Sequence, residues 1–316
     1  KYYSAKGDAV MKKVFIDGAA GTTGLNIRAR LAKRNDVEVI EIDEDKRKDI
    51  SERKRLMNAA DVVFLCLPDD AAREAVTLIE NESTCVIDTS TAHRCADGWT
   101  YGFPELTGTE KIKNSKRIAN PGCHATGFIS SVAPLVKLGI IDPGETLSCF
   151  SLTGYSGGGK KMIAQYESDG KTEFQSSPGI YSLSQEHKHL PEMQKMCALD
   201  KKPVFSPVVD DYLEGMATTV TVDGNENRTA DSVRQALSDF YKDSKLISVR
   251  EKGDTPSTIY ANEKAGLDSL EIIVCGNDER ITITALFDNL GKGACGSAIE
   301  NMNIVLGLGE TTGLII

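Results

Sequence analysis

The residues of this 316-residue chain best suited to covalent chemistry form the segment Asn120-Pro121-Gly122-Cys123-His124-Ala125-Thr126-Gly127. A strand-like stretch precedes it, and residues 128–138 read as a helix. A cysteine at the start of a helix gains from the positive end of the dipole, which favours thiolate. The first helical amides are free to receive a developing oxyanion. The spacing therefore predicts an activated sulfur nucleophile at Cys123, although an unpaired cysteine is also commonly a small buried hydrophobe.

A histidine facing the sulfur would take its proton and later donate one to an alkoxide. Two of the four histidines, His187 and His189, lie in the run Gln185-Glu186-His187-Lys188-His189-Leu190-Pro191-Glu192. Alternate residues of an extended strand point in opposite directions, so the sequence leaves open which of the two faces Cys123. The same spacing can hold a metal, but no further ligands stand nearby in sequence, and no metal site is predicted.

A glycine loop near the start of the chain has the form G-x-x-G-x-x-G, from Gly18 to Gly24. It follows a buried strand at residues 13–17 and opens a helix at residues 25–33. Strand, glycine loop and helix together are typical of a dinucleotide-phosphate site. The cofactor-binding candidates are Gly18, Gly21, Thr22, Thr23 and Gly24. The alternative is a tight turn that binds nothing.

The end of the second predicted strand, residues 37–42, bears on the choice of cofactor. An acidic residue there takes a ribose 2′-hydroxyl, whereas a basic residue takes a 2′-phosphate. This chain offers Glu41, Asp43 and Glu44, and then Lys46 and Arg47. We expect NADPH rather than NADH, with a solvated basic turn as the alternative.

Binding of an anionic substrate requires local cations, because the chain as a whole is acidic. Arg94 closes a hydroxyl-rich loop, residues 88–94, at the predicted edge of the parallel sheet. Lys160 and Lys161 follow a triple glycine in what reads as a flexible loop. The substrate-binding candidates are Ser90, Arg94, Lys160, Lys161 and His189. Solvated surface charges are the alternative interpretation of the three cations.

Composition excludes several classes of function. The net charge is -9 and the pI about 5.1, which argues against a nucleic-acid or anionic-membrane partner. The 8 cysteines are scattered without C-x-x-C spacing, which favours a reducing, cytoplasmic compartment. We expect neither a signal peptide nor a membrane span, and residues 1–10 read as a cloning remnant.

The chain divides by the order of its predicted elements. Strands and helices alternate up to Cys123, which predicts a parallel sheet covered on both faces. Further strands at 145–152, 203–209, 216–222, 269–275 and 280–287, with a helix at 232–241, indicate a mostly antiparallel or mixed sheet. We therefore predict an α/β protein in which residues 11–120 and 291–316 form a Rossmann-type domain. Residues 121–290 form an α+β catalytic domain, and a final helix spans residues 297–306.

Four motifs together resemble the shorter form of N-acetyl-γ-glutamyl-phosphate reductase, in the glyceraldehyde-phosphate-dehydrogenase-like superfamily. They are the glycine loop, the segment around Cys123, the His187–Glu192 run, and Asn289-Leu290-x-Lys292-Gly293-Ala294. The resemblance spans nearly the whole chain from Lys12. One departure is His124, where an aromatic residue such as Tyr is more usual in the family.

The resemblance implies a homo-oligomeric, NADPH-dependent enzyme of arginine biosynthesis acting on a small acyl phosphate. It implies that Cys123 forms a thioester, that hydride transfer gives a thiohemiacetal, and that N-acetyl-glutamate semialdehyde is released. His187 matches the acid/base histidine, and Asn289 the position that holds the nicotinamide amide. The rival interpretations are an aspartate-semialdehyde dehydrogenase and a dinucleotide-sensing regulator without catalysis.

Overall fold

The computed structural model describes residues 11–316, so the predicted cloning remnant, residues 1–10, lies outside the described residues. The strands are β1 (Lys12–Asp17), β2 (Val37–Ile40), β3 (Val62–Leu65), β4 (Cys85–Asp88), β5 (Thr100–Tyr101), β6 (Arg117–Ala119), β7 (Ser148–Gly154), β8 (Gly179–Ile180), β9 (Val204–Asp210), β10 (Met216–Asp223), β11 (Ile247–Val249), β12 (Leu270–Gly276) and β13 (Arg280–Phe287). The helices are α1 (Thr22–Leu31), α2 (Ile50–Ala59), α3 (Asp69–Thr77), α4 (Pro104–Thr107), α5 (Thr109–Lys113), α6 (Cys123–Lys137), α7 (Gly159–Tyr166), α8 (Leu190–Met196), α9 (Ala230–Tyr241) and α10 (Gly296–Leu306).

The first sheet is entirely parallel among the described residues, in the order β2-β1-β3-β4-β6-β5. Successive side chains of β1 enter two different cores, because strand residues alternate between the two faces of a sheet. Val14 and Ile16 pack with residues of α1 and α10, whereas Phe15 packs with residues of α2 and α3. The predicted parallel sheet with both faces covered is confirmed.

The second sheet is mixed, in the order β11-β12-β13-β10-β7-β9-β8. Its β7–β9 and β11–β12 pairs are parallel, and its other pairings are antiparallel. Helices α6, α8 and α9 pack on one face and form the largest apolar core with it. This agrees with the predicted second architecture.

Local structure differs from the sequence prediction at several places, among them α7 and α2. The predicted flexible loop before Lys160 is a 3₁₀ turn over Tyr155–Gly158 followed directly by α7, so both lysines lie in the first turn of a helix. Helix α2 was not predicted, although its start carries a signal: the side chain of Asp49 accepts hydrogen bonds from the amides of Ser51 and Glu52. Apart from this cap, the mostly polar sequence of α2 has no strong apolar face, so its periodicity does not predict a helix.

The final helix brings the end of the chain back to the parallel sheet. A π-helical turn, Gly291–Cys295, leads into α10, and Ala298, Ile299 and Met302 of α10 join the core on one face of that sheet. The π-helical turn also passes Cys123: a Cβ added to Gly293 would lie 3.1 Å from the Cβ of Cys123. Within residues 11–316 no helix has the length and apolar character needed to cross a membrane.

Candidate active site

A cavity of about 390 Å³ contains most of the residues that the sequence singled out. Cys123, at the first position of α6, shares it with His187, His189 and Arg94, while Thr22 and Thr23 of α1 line the same space. The cavity therefore joins the glycine loop of the parallel sheet to the cysteine helix.

Gly122 fixes the approach to the nucleophile. Its amide donates to Glu192 Oε1 at 2.9 Å, and its carbonyl accepts from the amide of Thr126 at 2.8 Å. A Cβ at this position would lie 2.2 Å from Arg94 Nη1 and 2.5 Å from His189 Nε2. Only glycine leaves room for both side chains beside the sulfur, which explains why the turn before Cys123 contains it.

Arg94 is buried at the base of the cavity rather than on the surface. Its guanidinium contacts Glu192 Oε2 at 3.1 Å, and donates to the carbonyls of Asn120 at 2.9 Å and Thr89 at 3.0 Å. The hydroxyl of Tyr101 donates to the other carboxylate oxygen of Glu192 at 2.8 Å. Three of the five N–H donors of Arg94 are used, which leaves two for a ligand.

The thiol of Cys123 has a raised pKa, with burial as the largest cause. The charge of Arg94, the backbone N–H of His124 and the charge of Lys188 all oppose this shift. The sign is opposite to what the helix position alone predicted, because burial outweighs the dipole. The site therefore holds a thiol surrounded by the groups that would stabilise a thiolate.

The loop that carries the two histidines is anchored to β9 by one side chain. Gln185 donates from Nε2 to the carbonyl of Phe205 and accepts from its amide, both at 2.8 Å. His187 Nδ1 accepts from the amide of His189 at 3.2 Å, so the neutral ring carries its proton on Nε2. Burial, with the charges of Lys188 and Arg94, lowers the pKa of His187 to about 4. At neutral pH His187 is therefore a neutral ring that donates a hydrogen bond through Nε2.

His189 lies deeper than His187. It is buried beside Gly122, and its Nδ1 has no hydrogen-bond partner within the part of the chain that the structure describes. Burial and then the charge of Arg94 hold its pKa well below the ordinary range. His187 and His189 both line the cavity that contains Cys123. The structure therefore places both predicted histidines in the same cavity as the sulfur.

The glycine loop has the geometry of a phosphate cradle. Gly18 has φ +87°, and a Cβ there would lie 2.3 Å from the carbonyl oxygen of Cys66; a Cβ on Gly24 would lie 2.5 Å from Gly18 O. Helix α1 begins at Thr22, so its free amides point out of the loop. The hydroxyl of Thr22 is buried and has no hydrogen-bond partner among residues 11–316, which fits a ligand oxygen at this point. Gly21, Thr22 and Thr23 all line an adjoining cleft, and these residues fit a dinucleotide phosphate.

A second cleft, of about 380 Å³, lies at the end of β2, where the predicted acidic and basic residues meet. Arg28 of α1 contacts Glu41 at 2.6 Å, and Arg47 contacts Glu44 at 3.3 Å; both arginines line this cleft. Lys46 does not line it and contacts Asp43 instead. Arg28, which sequence reasoning did not single out, is therefore a better placed cation than Lys46.

The remaining predicted residues differ in whether they line the cavity, the adjoining cleft or neither. Asn289 lines the cavity, but its amide accepts from Gly215 N at 2.9 Å and donates to Ser156 Oγ at 2.8 Å. Ser90 turns inward to donate to Asp88, and lines only the adjoining cleft. Lys160 lines that cleft too, whereas Lys161 is exposed and lines neither space.

Several residues of the cavity region were not predicted as site residues. They include Lys188, which lines the cavity and the cleft, His124 and Tyr181, which line the cavity, and Glu192, which binds Gly122. Glu192 was visible only as part of a motif. No cluster of three potential metal ligands occurs in the described residues.

Two family models cover most of the chain. Residues 13–115 match the semialdehyde dehydrogenase NAD binding domain, and residues 123–289 match the semialdehyde dehydrogenase dimerisation domain. The N-acetyl-gamma-glutamyl-phosphate reductase 2 of Nostoc sp. is 41% identical, over 96% of this chain and 99% of that protein. The N-acetyl-gamma-glutamyl-phosphate reductases of Sinorhizobium medicae and Brucella suis are each 42% identical, over 93% of this chain and 98% and 99% of their own lengths.

The chain belongs to the N-acetyl-γ-glutamyl-phosphate reductase family. Solved structures of more distant proteins share its fold. Aspartate semialdehyde dehydrogenase II from Vibrio cholerae has a TM-score of 0.70 at 17% identity, over 94% of this chain and 99% of that one. Aspartate semialdehyde dehydrogenase with NADP from Candida albicans has a TM-score of 0.68 at 16% identity, over 94% and 98%. These two show the fold of the reductase family member, not its substrate.

Proposed function

We propose that the chain reduces N-acetyl-γ-glutamyl phosphate to N-acetyl-glutamate semialdehyde with NADPH, releasing inorganic phosphate, in arginine biosynthesis. The observation that carries the proposal is the shared cavity: Cys123 at the start of α6 and the threonines of the glycine loop line one space. The substrate itself comes from the relatives, each of which is named as this reductase over nearly its whole length.

The chemistry begins at the sulfur. Cys123 loses its proton, which leaves with the phosphate; its Sγ bonds to the γ-acyl carbon, and the bond from that carbon to the phosphate oxygen breaks, so that hydrogen phosphate departs and a thioester remains. Arg94 and Lys188 stabilise the thiolate, since both charges lower the pKa of Cys123. The two unused donors of Arg94 are available to the departing phosphate or to the substrate carboxylate.

His187 assists the reduction by stabilising charge. The residues 18–24 loop would hold a nicotinamide dinucleotide, which would supply hydride to the thioester carbon. The Nε2–H of His187 donates a hydrogen bond to the resulting oxyanion, which takes a proton from water to give a thiohemiacetal, and this collapses to the aldehyde and the free thiol. Because Nδ1 is held by the amide of His189, the ring presents the same nitrogen to the cavity throughout.

We infer NADPH as the preferred cofactor, on the family relationship and on the two arginines, Arg28 and Arg47, in the cleft at the end of β2. Guanidinium groups meet a 2′-phosphate in a bidentate manner. Each arginine now contacts a glutamate, so the cofactor phosphate would compete with Glu41 and Glu44 for them. The predicted division of labour, with residues 11–120 and 291–316 for the cofactor and 121–290 for the substrate, belongs to the same proposal.

The dimerisation domain matched by residues 123–289 supports a homo-oligomer, dimer or tetramer. A reducing, cytoplasmic location is also proposed, on the finding that the cysteines of the described chain are all free.

The test is an NADP⁺-coupled assay with N-acetyl-glutamate semialdehyde and phosphate. Cys123→Ser should lower turnover by several orders of magnitude and leave NADP⁺ affinity almost unchanged, since the loss is confined to the nucleophile. The matched control is Cys95→Ser, a partly buried cysteine outside the cavity, which should retain wild-type rates. Activity of Cys123→Ser above about a hundredth of wild type would contradict the mechanism. Faster turnover of aspartate semialdehyde would contradict the substrate.

A further inference from the structure

A chain of four hydrogen-bonding side chains runs from the second sheet into the cavity. Thr218 Oγ1 lies 2.8 Å from Ser151 Oγ, which lies 2.7 Å from His124 Nδ1. His124 Nε2 lies 2.6 Å from the hydroxyl of Tyr181. Thr218, Ser151 and His124 are all buried, whereas Tyr181 is only partly buried and lines the cavity. The catalytic steps described above use none of these groups.

The direction of this chain is set at its buried end. If His124 donated to Ser151, Ser151 would donate to Thr218, and the proton of Thr218 would need an acceptor. None exists for it in the described structure other than Ser151 itself. Helix α6 closes off the space: a Cβ on Gly127 would lie 2.5 Å from Thr218 Oγ1. An unsatisfied buried donor is costly, so Thr218 donates to Ser151 and Ser151 donates to Nδ1 of His124.

The remaining bonds follow from that direction. The ring of His124 is neutral, since burial and the neighbouring charges lower its pKa to about 3. A neutral ring that accepts at Nδ1 carries its proton on Nε2, and must donate it to the oxygen of Tyr181. The hydroxyl proton of Tyr181 is then free to point into the cavity.

We propose that Tyr181 donates this proton in a hydrogen bond to a carbonyl or carboxylate oxygen of the substrate, and that His124 is the positioning residue that fixes the donation. The inference rests on the proposed function only for the identity of the substrate. The backbone supports the placement, because the amide of Tyr181 donates to the carbonyl of Pro207 in β9 at 3.1 Å. The ring is thereby held at the edge of the second sheet, with its hydroxyl at His124.

Two substitutions at His124 separate positioning from packing. In His124→Gln the side-chain amide reaches the place of Nε2 and can still donate to Tyr181. In His124→Asn it reaches the place of Nδ1 and keeps only the contact with Ser151. We expect Tyr181→Phe and His124→Asn each to lower kcat/KM about tenfold, and His124→Gln to stay within about threefold of wild type. In the Tyr181→Phe background, His124→Asn should not lower kcat/KM further, because each substitution alone already removes the same hydrogen bond from Tyr181 to the substrate. Tyr155→Phe, a tyrosine outside the cavity, is the control.

Substrate analogues identify the oxygen that accepts the bond. 4-Acetamidobutanal lacks the carboxylate, and 5-oxopentanoate lacks the acetamido group. If the bond is to the carboxylate or the acetamido group, Tyr181→Phe should raise KM for the natural substrate. The loss of kcat/KM caused by Tyr181→Phe should then vanish with the analogue that lacks the accepting group. A penalty that persists with both analogues and appears in kcat places the bond on the reacting carbonyl, which also supports the donation. Equal kcat/KM for wild type and Tyr181→Phe with the natural substrate would overturn it.

A measurement without turnover tests the same point in the wild-type protein. In ¹⁵N-histidine-labelled enzyme, the ring signal that is missing from His124→Gln should show its one-bond proton on Nε2. A proton on Nδ1 would overturn the proposed direction of the chain, whatever the enzyme's activity. If the wild type shows the Nε2 proton but no reductase activity, the proposed function fails and the positioning of Tyr181 stands.

Discussion

Two buried ionic clusters flank the segment that carries Cys123, and they differ in charge balance. On one side Arg94 faces a single carboxylate, Glu192, and borders the cavity. On the other side Lys292 lies 2.7 Å from both Glu105 and Glu300, and its ammonium is 5.4 Å from the ring centre of Phe103. Lys292 is fully buried and lines neither the cavity of Cys123 nor the adjoining cleft.

The difference in balance has a chemical consequence. One cation and one carboxylate form a neutral pair, and Glu192 has both oxygens hydrogen-bonded. One cation for two carboxylates leaves an excess negative charge, and Glu105 Oε2 and Glu300 Oε1 lack partners within residues 11–316. Burial, reinforced by Glu105 and opposed by Lys292, raises the pKa of Glu300 to about 8. The balanced cluster can keep its charge beside the sulfur, whereas the unbalanced one holds a proton and supports the fold.

The largest expected effect is on the unbalanced cluster. Lys292→Met should lower the free energy of unfolding by about 3–5 kcal/mol, because buried Glu105 and Glu300 lose the cation that both contact. Urea denaturation measures it, with Lys113→Met as the control: that exposed lysine has a single contact, of 3.9 Å, with Glu110. A loss no larger than the control's, within about 0.5 kcal/mol, would mean that the cluster stores little electrostatic energy.

The balanced cluster should respond in catalysis. Arg94→Lys keeps a positive charge but loses the planar fork that contacts Glu192, Asn120 and Thr89 together. We expect kcat/KM to fall about ten- to a few hundredfold, the equivalent of about 1.5–3 kcal/mol in one charge-assisted contact. Lys161→Ala, which removes a cation outside the cavity, should leave kcat/KM unchanged. Equal effects of the two substitutions on kcat/KM would show that Arg94 contributes only its charge to the electrostatics of the protein and makes no specific contact with the substrate.

The pH dependence of stability should separate the clusters. The pKa of Glu300 is raised in the folded state, so its contribution is full below the unfolded value and is lost as pH rises towards about 8. The unfolding free energy should therefore fall with rising pH over this window, by at most about 1.4 kcal/mol per unit. Glu300→Gln should flatten that slope, because the amide replaces the protonated carboxyl. Glu279→Gln, at an exposed carboxylate, should keep the slope, and an unchanged slope in Glu300→Gln would remove Glu300 as its source.

The smallest expected effect concerns the sulfur. Lys188→Ala should raise the pKa of Cys123 further, because the charge of Lys188 is one of the groups that lower it. The alkylation rate of Cys123, followed against pH, should shift its midpoint upward relative to wild type. Lys160→Ala serves as the comparison, since Lys160 lines only the adjoining cleft. A downward shift, or none, would leave Arg94 as the main cation acting on the thiol.

Sequence alone predicted the parts of the molecule that short segments determine. The glycine loop, the parallel sheet and the helix after Cys123 all follow from local periodicity and from glycine. The site depends on contacts between distant segments, such as Arg94 with Glu192 and His124 with Tyr181, and no local pattern encodes them. Ser90 is a case in which the sequence predicted a ligand contact that the structure does not favour. Its hydroxyl donates instead to the buried carboxylate of Asp88, two residues away. The sign of the Cys123 pKa shift was missed for a similar reason, because burial belongs to the completed fold.

The anchoring of Gln185 to β9 has a consequence for the kinetics of folding. The strand that receives Gln185 pairs with β7 in parallel, Ser148 opposite Val204, and parallel pairing must close the long intervening segment first. His187 and His189 both lie within that segment. Their loop cannot bind β9 through Gln185 until this slow, non-local pairing is complete. The glycine loop, by contrast, joins a strand and a helix that are neighbours in sequence. During refolding, the two histidines should therefore reach the sulfur only after β9 has paired with β7, and catalytic activity should return later than the bulk of the helical signal.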